Sequence, residues 1–589
     1  MTTIGSNRGV GAGVLGTLPD LLRIRSEKQP DATAYVFLSD GETPVESLTY
    51  RELYEAALGR AAALAENGLS GRNAVLAFPS GLEFIRTLLG CMYAGVTAAP
   101  VQVPRRADAV RRLRRIVDDA GATTVLTTGP VKHALEEQFG HLPELTGTSL
   151  VDGAELTGPA GEPAEWPMPQ DIALLQYTSG STGDPKGAVI THANFLSNAA
   201  ETDALWPCEP DGRVVSWLPM FHDMGMLFGV VLPLWAGVPS VLMAPDSFIR
   251  RPARWLEAIA RFRATHSAAP NFAYELCVRA AVEGRMTGVG DLSSWRVAAN
   301  GAEPVRWQTI REFVRTFAGN GFDPRAMCPG YGLAENTLKA TGSRPERPTR
   351  PLWVSPEALG EGRVEVVPES SAATPLVSSG VTVPGTVVRV VDPRTRRPSP
   401  PDQVGEVWIS GPCVAMGYWG RPQDSEKTFR ATAHGVPGTF LRTGDLGFTH
   451  DGELYITGRL KDVIIRRGRN FYPQDIELTV ESVAPNLHPN CTAAFSVDDG
   501  MTERLVVVVE VDGRALRATP SPELVERITT AIWDSHRLTV DDILVVRRGA
   551  LSKTSSGKVQ RRACRTRYLN GDFVPVARNA PQAQVVTLP

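Results

Sequence analysis

QYTSGSTGDPKG, residues Gln176 to Gly187, is the stretch on which the reading of this chain turns. An apolar run, Ile172-Ala-Leu-Leu175, feeds it, and Ala188-Val-Ile190 leaves it as a second strand. Between them stand the hydroxyls of Thr178, Ser179, Ser181 and Thr182, the glycines Gly180, Gly183 and Gly187, and Lys186. Glycine lets the backbone approach an anion closely, hydroxyl and amide groups donate to phosphate oxygens, and lysine adds charge. The run is not a Walker loop, which needs Gly-Lys-Ser/Thr where Gly180 here leads to Pro185. Composition alone would make it a Gly/Ser surface turn; the ordered string selects a phosphate-holding loop.

Outward from the loop, short apolar strands (Ala34–Phe37, Ala74–Phe78, Thr123–Leu126) alternate with amphipathic helical patterns such as Tyr50–Glu66. That alternation predicts an α/β body with substantial parallel sheet. Around Val387–Gly411 the texture changes to short strands broken by Pro, Gly and Asp, a β-rich subdomain, and after Gly458 a smaller unit begins. Residues 1–17 read as a loose tail, 18–460 as the large domain, 461–575 as a small α+β domain and 576–589 as a second tail. A proline-rich connector, Ser343–Ser379, carries apolar islands at Leu352-Trp-Val354 and Val364–Val367.

The 589 residues carry a net charge of −3, so no excess of basic residues points to nucleic acid. A 42% hydrophobic and 21% charged composition excludes disorder across the chain. Seven scattered cysteines without a Cys-x-x-Cys pair read as reduced thiols. The uncharged stretch Met224–Pro245 is interrupted by Pro233 and Pro239 and reads as helix, turn and buried strand, with no stable membrane insertion. A cytoplasmic protein is expected.

Further motifs follow in order: WLPMFHDMGM (Trp217–Met226), NGAEP (Asn300–Pro304), GYGLAENT (Gly330–Thr337), LRTGDLG (Leu441–Gly447), GRLKD (Gly458–Asp462), RRGRNFYPQDIE (Arg466–Glu477) and LSKTSSGKVQRR (Leu551–Arg562). With the loop, they resemble the adenylate-forming superfamily of acyl-CoA synthetases, peptide-synthetase adenylation domains and luciferases. The HDMG string, the connector and RRGRNFYPQDIE resemble more narrowly its fatty acyl-AMP ligase branch. The resemblance runs from about Pro19 to about Gly571.

It implies that Thr178–Gly183 and Lys186 hold ATP phosphates and that Asn300, Gly301, Ala302, Tyr331 and Gly332 cup the adenine and α-phosphate, with Tyr331 as stacking platform. Asp445 would accept from the ribose hydroxyls and Arg459 add a second contact, while Glu335 and Thr182 would bind Mg²⁺. Lys558 would bridge the attacking carboxylate and the α-phosphate on a lid hinged at Lys461. His222 is read as orienting the carboxylate or lining the gate, with Asp223, Met224, Gly225 and Phe272 in the acyl pocket; packed core is the other reading for these residues.

The implied reaction is fatty acid plus ATP to acyl-adenylate and pyrophosphate, then transfer to a thiol. Ordinary relatives use coenzyme A, whereas the connector matches in position the insertion that restrains lid motion in acyl-AMP ligases. Only 31 residues follow Lys558, so an acyl carrier protein is expected to act in trans. The basic residues Arg547, Arg548, Arg561, Arg562 and Arg565 read either as a solvated face or as its landing patch. An acyl-CoA ligase is the alternative, and an inactive nucleotide-binding scaffold a remoter one. No Gly-x-Ser-x-Gly elbow exists to support a serine hydrolase.

Overall fold

The computed structural model describes residues 16–178, 185–466, 469–484, 487–498, 503–554 and 557–579. Two α/β sheets build the body. One has six strands, running Ser149–Asp152, Thr124–Thr127, Asn73–Leu76, Thr97–Pro100, Ile172–Thr178, Lys186–Thr191, parallel except for the last pair. The other has nine, with the parallel run Met327–Gly332, Val297–Asn300, His266–Ala269, Val214–Ser216, Ser240–Met243 and Thr33–Leu38 at its centre. Its central strands Val214–Ser216, Ser240–Met243, His266–Ala269 and Val297–Asn300 are buried at every position, as parallel strands covered on both faces must be. The predicted helix Tyr50–Glu66 is observed with those bounds, its start fixed by a reciprocal capping box between Thr49 and Glu52. The Met224–Pro245 stretch forms short helical segments with a π-turn at Leu227–Val231, then the buried strand Ser240–Met243. Among the described residues no helix is long and apolar enough to cross a membrane. All seven cysteines are unpaired.

The β-rich subdomain is an antiparallel sheet of Val387–Val391, Gly405–Ser410, Leu441–His450 and Glu453–Arg459. A further four-stranded sheet, Thr492–Asp498, Glu503–Val511, Asp542–Arg547 and Pro575–Arg578, is packed with helices over an apolar core of its own spanning Ile464 to Val545. The fold is therefore the expected α/β body with a small α+β C-terminal unit. Ordered structure reaches past both expected tail boundaries. Thr17 is buried and caps the helix Leu18–Lys28, and Pro575–Arg578 is an edge strand whose Arg578 pairs with buried Asp542.

The connector is ordered. Pro351–Val354 and Thr374–Val377 form a hairpin around the short helix Pro356–Gly360. The residues that bury are Val354 and Leu359, packed with Leu446, Phe448 and Tyr455 of the β-rich sheet and with Tyr472. Within the two apolar islands, Trp353 is only half-buried and Val366 is exposed. Strand alternation explains the difference between Val354 and Trp353, because adjacent residues of a strand face opposite ways. Gly360 lies against Asn470 and Arg469, so the connector touches the hairpin Ile464–Arg466/Arg469–Phe471 that opens the small unit.

Candidate active site

A cavity of about 1890 Å³ runs between the body and the small unit, lined by residues of both. The hairpin Leu441–His450/Glu453–Arg459 sets Asp445 directly across from Arg459. The Asp445 carboxylate accepts from Tyr331 Oη at 2.7 Å and from Arg459 Nε at 3.2 Å. Cross-strand opposition thus places a cation and a phenol on one carboxylate. Burial, then the Asp445 charge, raises the Tyr331 phenol well above its ordinary value, so it donates.

Glu335 accepts from Tyr418 Oη at 2.8 Å. Burial pushes its carboxyl up and the Tyr418 bond opposes this, so a nearby cation would be welcome there. Lys186 does not stand free for phosphate: it pairs with Asp424 at 2.7 Å and lies over the Tyr418 ring. His222 caps the short helix Asp223–Met226, and its Nδ1 lies 2.5 Å from Asp223 Oδ1. Burial would raise the Asp223 carboxyl, but His222 and then Lys558 outweigh it and hold it below the usual carboxylate range. Lys558 reaches this cluster from the small unit. Burial lowers its ammonium, with Asp223, Glu303 and Asp445 opposing and Arg459 assisting. The loop holding it is tied by Thr554 N to Lys558 O at 2.8 Å and by Lys558 N to Thr554 Oγ1 at 3.0 Å.

NGAEP ends the central strand Val297–Asn300 and carries local strain: Ala302 has φ +67°. A Cβ on Gly301 would lie 2.7 Å from Gly330 O, so only glycine permits the two motifs to approach. Asn300 Oδ1 is buried without a partner among the described residues and lines the cavity, an acceptor left open for a ligand donor. Glu303 accepts from Phe272 N at 2.6 Å and from Asn490 Nδ2 at 3.1 Å, and Arg306 pairs with Glu481 at 3.1 Å. The Glu303–Asn490 and Arg306–Glu481 contacts join the body to the small unit.

The cavity gathers Thr178, Lys186, His222, Asp223, Met224, Asn300, Gly301, Ala302, Tyr331, Gly332, Glu335, Asp445, Arg459, Lys461 and Lys558 from separate stretches of chain. Ser179, Gly180, Ser181, Thr182 and Gly183 lie outside the described residues. Two residues expected in the acyl pocket stand apart from this lining. Gly225 and Phe272 are not among the described residues lining the cavity. Gly225 packs on the Pro219 carbonyl, where a side chain has no room, and the Phe272 ring meets Trp217 edge-on at 6.2 Å. Arg561 is no landing residue either: it is bonded to Glu477 at 2.7 and 2.6 Å, whereas Arg547, Arg548, Arg562 and Arg565 are exposed. Glu303, Tyr418 and Asp424 escaped the sequence reading; Glu303 alone had a signal, its place inside NGAEP.

Residues 22–419 match the AMP-binding enzyme family, and 461–577 match the Disco-interacting protein 2-like AMP domain. The medium-chain-fatty-acid–acyl-carrier-protein ligase JamA of Moorena producens is 43% identical, over 94% of this chain and 95% of its own. The long-chain-fatty-acid–AMP ligase FadD26 of Mycobacterium tuberculosis is 37% identical, over 95% and 98%. A fatty acyl-adenylate ligase of Legionella pneumophila, solved with acyl adenylate and pyrophosphate, superposes with a TM-score of 0.72 at 34% identity, over 96% and 98%. The chain belongs to the AMP-binding enzyme family, the adenylate-forming ligases, and within it to the fatty acyl-AMP ligases. It is an ATP-dependent, AMP-forming fatty acid ligase.

Proposed function

We propose that this ligase activates a fatty acid at the Lys558 end of the cleft and passes the acyl group to the phosphopantetheine thiol of an acyl carrier protein acting in trans. The observation that carries the first half is the convergence of Lys558 with His222, Asp223 and Asp445 in one cavity. A fatty carboxylate oxygen attacks the α-phosphorus of ATP, the bond to the bridging oxygen breaks, and pyrophosphate leaves. Two anions must meet, and Lys558 supplies the positioned cation that favours their approach and the charge spreading over the phosphoryl oxygens. His222, set by Asp223, faces the same space and orients the incoming carboxylate. Asp445 and Arg459 hold the ribose, Tyr331 backs the purine and Asn300 Oδ1 accepts from its edge. Lys186 is drawn from Asp424 to the phosphates as they enter.

The described residues contain no cluster of three or more metal-ligating side chains, so Mg²⁺ would arrive with the nucleotide and use Glu335 as its protein ligand. A hard carboxylate beside phosphate oxygens fits that ion, which neutralises phosphate charge when bound. Glu335 is positioned for this by Tyr418.

In the second half a thiol attacks the acyl carbonyl and AMP leaves. The small unit must first turn about Lys461 to withdraw Lys558 and admit the thiol arm. The carrier assignment is supported by the relative JamA, named for transfer to an acyl carrier protein, and by the connector, which packs Leu359 and Val354 against Tyr472 beside the hinge. Such a tether favours the adenylate-forming arrangement over open exchange with a small diffusing thiol. The test is competition: preformed enzyme-bound acyl-AMP is offered equal amounts of a holo-carrier protein and coenzyme A. Acyl-carrier should dominate; predominant acyl-CoA would make the acyl-CoA ligase reading the right one.

A further inference from the structure

The cleft contains a further lysine, one buried in the body. Lys339 opens the strand Lys339–Gly342 in the nine-stranded sheet and is 4% exposed. Its backbone is fully engaged: the N–H donates to Asn198 Oδ1 at 3.1 Å, and the carbonyl accepts from Asn198 Nδ2 at 2.8 Å and Asn336 Nδ2 at 3.0 Å. The ammonium is not. Nζ has no hydrogen-bond partner among the described residues and lies 3.1 Å from the centroid of the Trp206 ring. Lys339 and Trp206 line the same cavity as Lys558, His222 and Met224.

The arrangement is built. Gly330 and Gly342 stand opposite each other in paired strands. A Cβ on Gly342 would lie 2.7 Å from the Trp206 ring and 2.9 Å from Lys339 Cε, and one on Gly330 would lie 3.3 Å from the ring. The indole therefore lies over the glycine pair, held by its Nε1 donating to Ser343 O at 2.8 Å. Phe228, tilted 6.2 Å from that indole, and Leu338 keep the surroundings apolar. The nearby carboxylate, Glu201, is already spoken for: it accepts from Thr386 Oγ1 at 3.0 Å and contacts Cys413 Sγ at 3.3 Å. It stands within electrostatic reach of Lys339 without bonding it. Burial drives the Lys339 ammonium well below its ordinary value. An amine so placed is costly to the fold unless something bonds it.

We propose that Lys339 is a specificity-determining residue that receives the far end of the acyl chain, and that the preferred substrate is a fatty acid bearing a hydrogen-bond-accepting oxygen at its distal end. The Trp206 face supports the ammonium from one side, and both residues line the cavity that also holds His222 and Met224. A hydroxyl, keto or second carboxyl oxygen completes the missing bond, whereas a terminal methyl leaves the amine unbonded. A site built to bond a polar group discriminates strongly against the analogue lacking it. This inference rests on the fatty-acid adenylation described above.

The experiment is fatty-acid-dependent ATP–pyrophosphate exchange by the full chain. Octanoate, decanoate and dodecanoate are each compared with the ω-hydroxy, ω-oxo and α,ω-diacid counterpart of equal length. At the best length, kcat/KM should favour an oxygenated acid by at least about tenfold, the worth of one charge-assisted bond. Lys339→Met should bring that ratio to about one or below, and Lys339→Gln, which still donates, should retain part of it. The three oxygenated arms separate a charged from a neutral acceptor. Methyl-terminated acids activated equally well or better at every length by the wild-type chain would overturn the inference, whatever the variants do, while leaving adenylation standing. No exchange with any acid would overturn both.

Discussion

Lys558 and Lys339 line one cavity, and each is pushed toward its neutral form by burial, yet their settings are opposite. Lys558 hangs on a loop of the small unit and faces Asp223, Glu303 and Asp445. Lys339 is fixed in a sheet strand against an aromatic face, with no bond to its ammonium among the described residues. The first comes from the small unit and meets charges on the body already arranged to receive it. The second is held in its strand and has no partner among the described residues. The contrast separates a group that acts on the reacting atoms from one that reads the substrate.

Removing Lys558 should have the largest effect. Lys558→Ala is expected to lower adenylate formation by about 1,000-fold, as for other preorganised charge-stabilising groups, with ATP affinity by calorimetry little changed. Undiminished adenylation would erase the contrast. Asp445→Ala, which strips Tyr331 and Arg459 of their shared acceptor, should raise KM for ATP by about 100-fold with a smaller change in kcat. Leu359→Ala, loosening the connector beside Tyr472, should increase coenzyme A acylation about threefold and cost about 2 to 4 kcal/mol in urea melts. An unaltered coenzyme A rate would detach the connector from acceptor choice.

The smallest effects concern stability near the fixed lysine. Lys339→Met removes an unbonded buried amine and should raise stability by about 1 kcal/mol. His266 Nε2 donates to Trp206 O at 3.2 Å, and burial lowers both it and His192 to about 4. Below 6.5 the unfolded chain protonates both rings while the folded chain does not until about 4, so urea midpoints should fall as pH drops through that window. Flat midpoints from pH 6.5 to 4 would deny that these rings are held neutral.

The sequence made the Lys558 side of this comparison, with the body residues it meets, far more legible than the Lys339 side. Lys558, Asp445, Glu335 and NGAEP sit in ordered strings, and the helix Tyr50–Glu66 announces itself by its apolar period and its Thr49–Glu52 cap. Lys339 had no such signal. In LKATG it reads as one polar residue at the start of a short strand, and only the pairing of Met327–Gly332 with Lys339–Gly342 and the arrival of Trp206 from far upstream bury it. Phe272 shows the converse: an aromatic residue beside a motif is as readily core as pocket, and its ring meets Trp217 edge-on. Within the connector's first apolar island, strand phase and not apolar content determines that Val354 buries more fully than Trp353.

The central claim is that this cleft joins a fatty carboxylate to AMP. It is tested most directly by mixing the full-length chain with ATP, Mg²⁺ and decanoate or its ω-hydroxy counterpart, without any thiol, and recording the bound products by mass spectrometry. Acyl-AMP retained on the enzyme, with pyrophosphate released in equal amount, is the predicted result. ATP left intact in the presence of every fatty acid offered would contradict it.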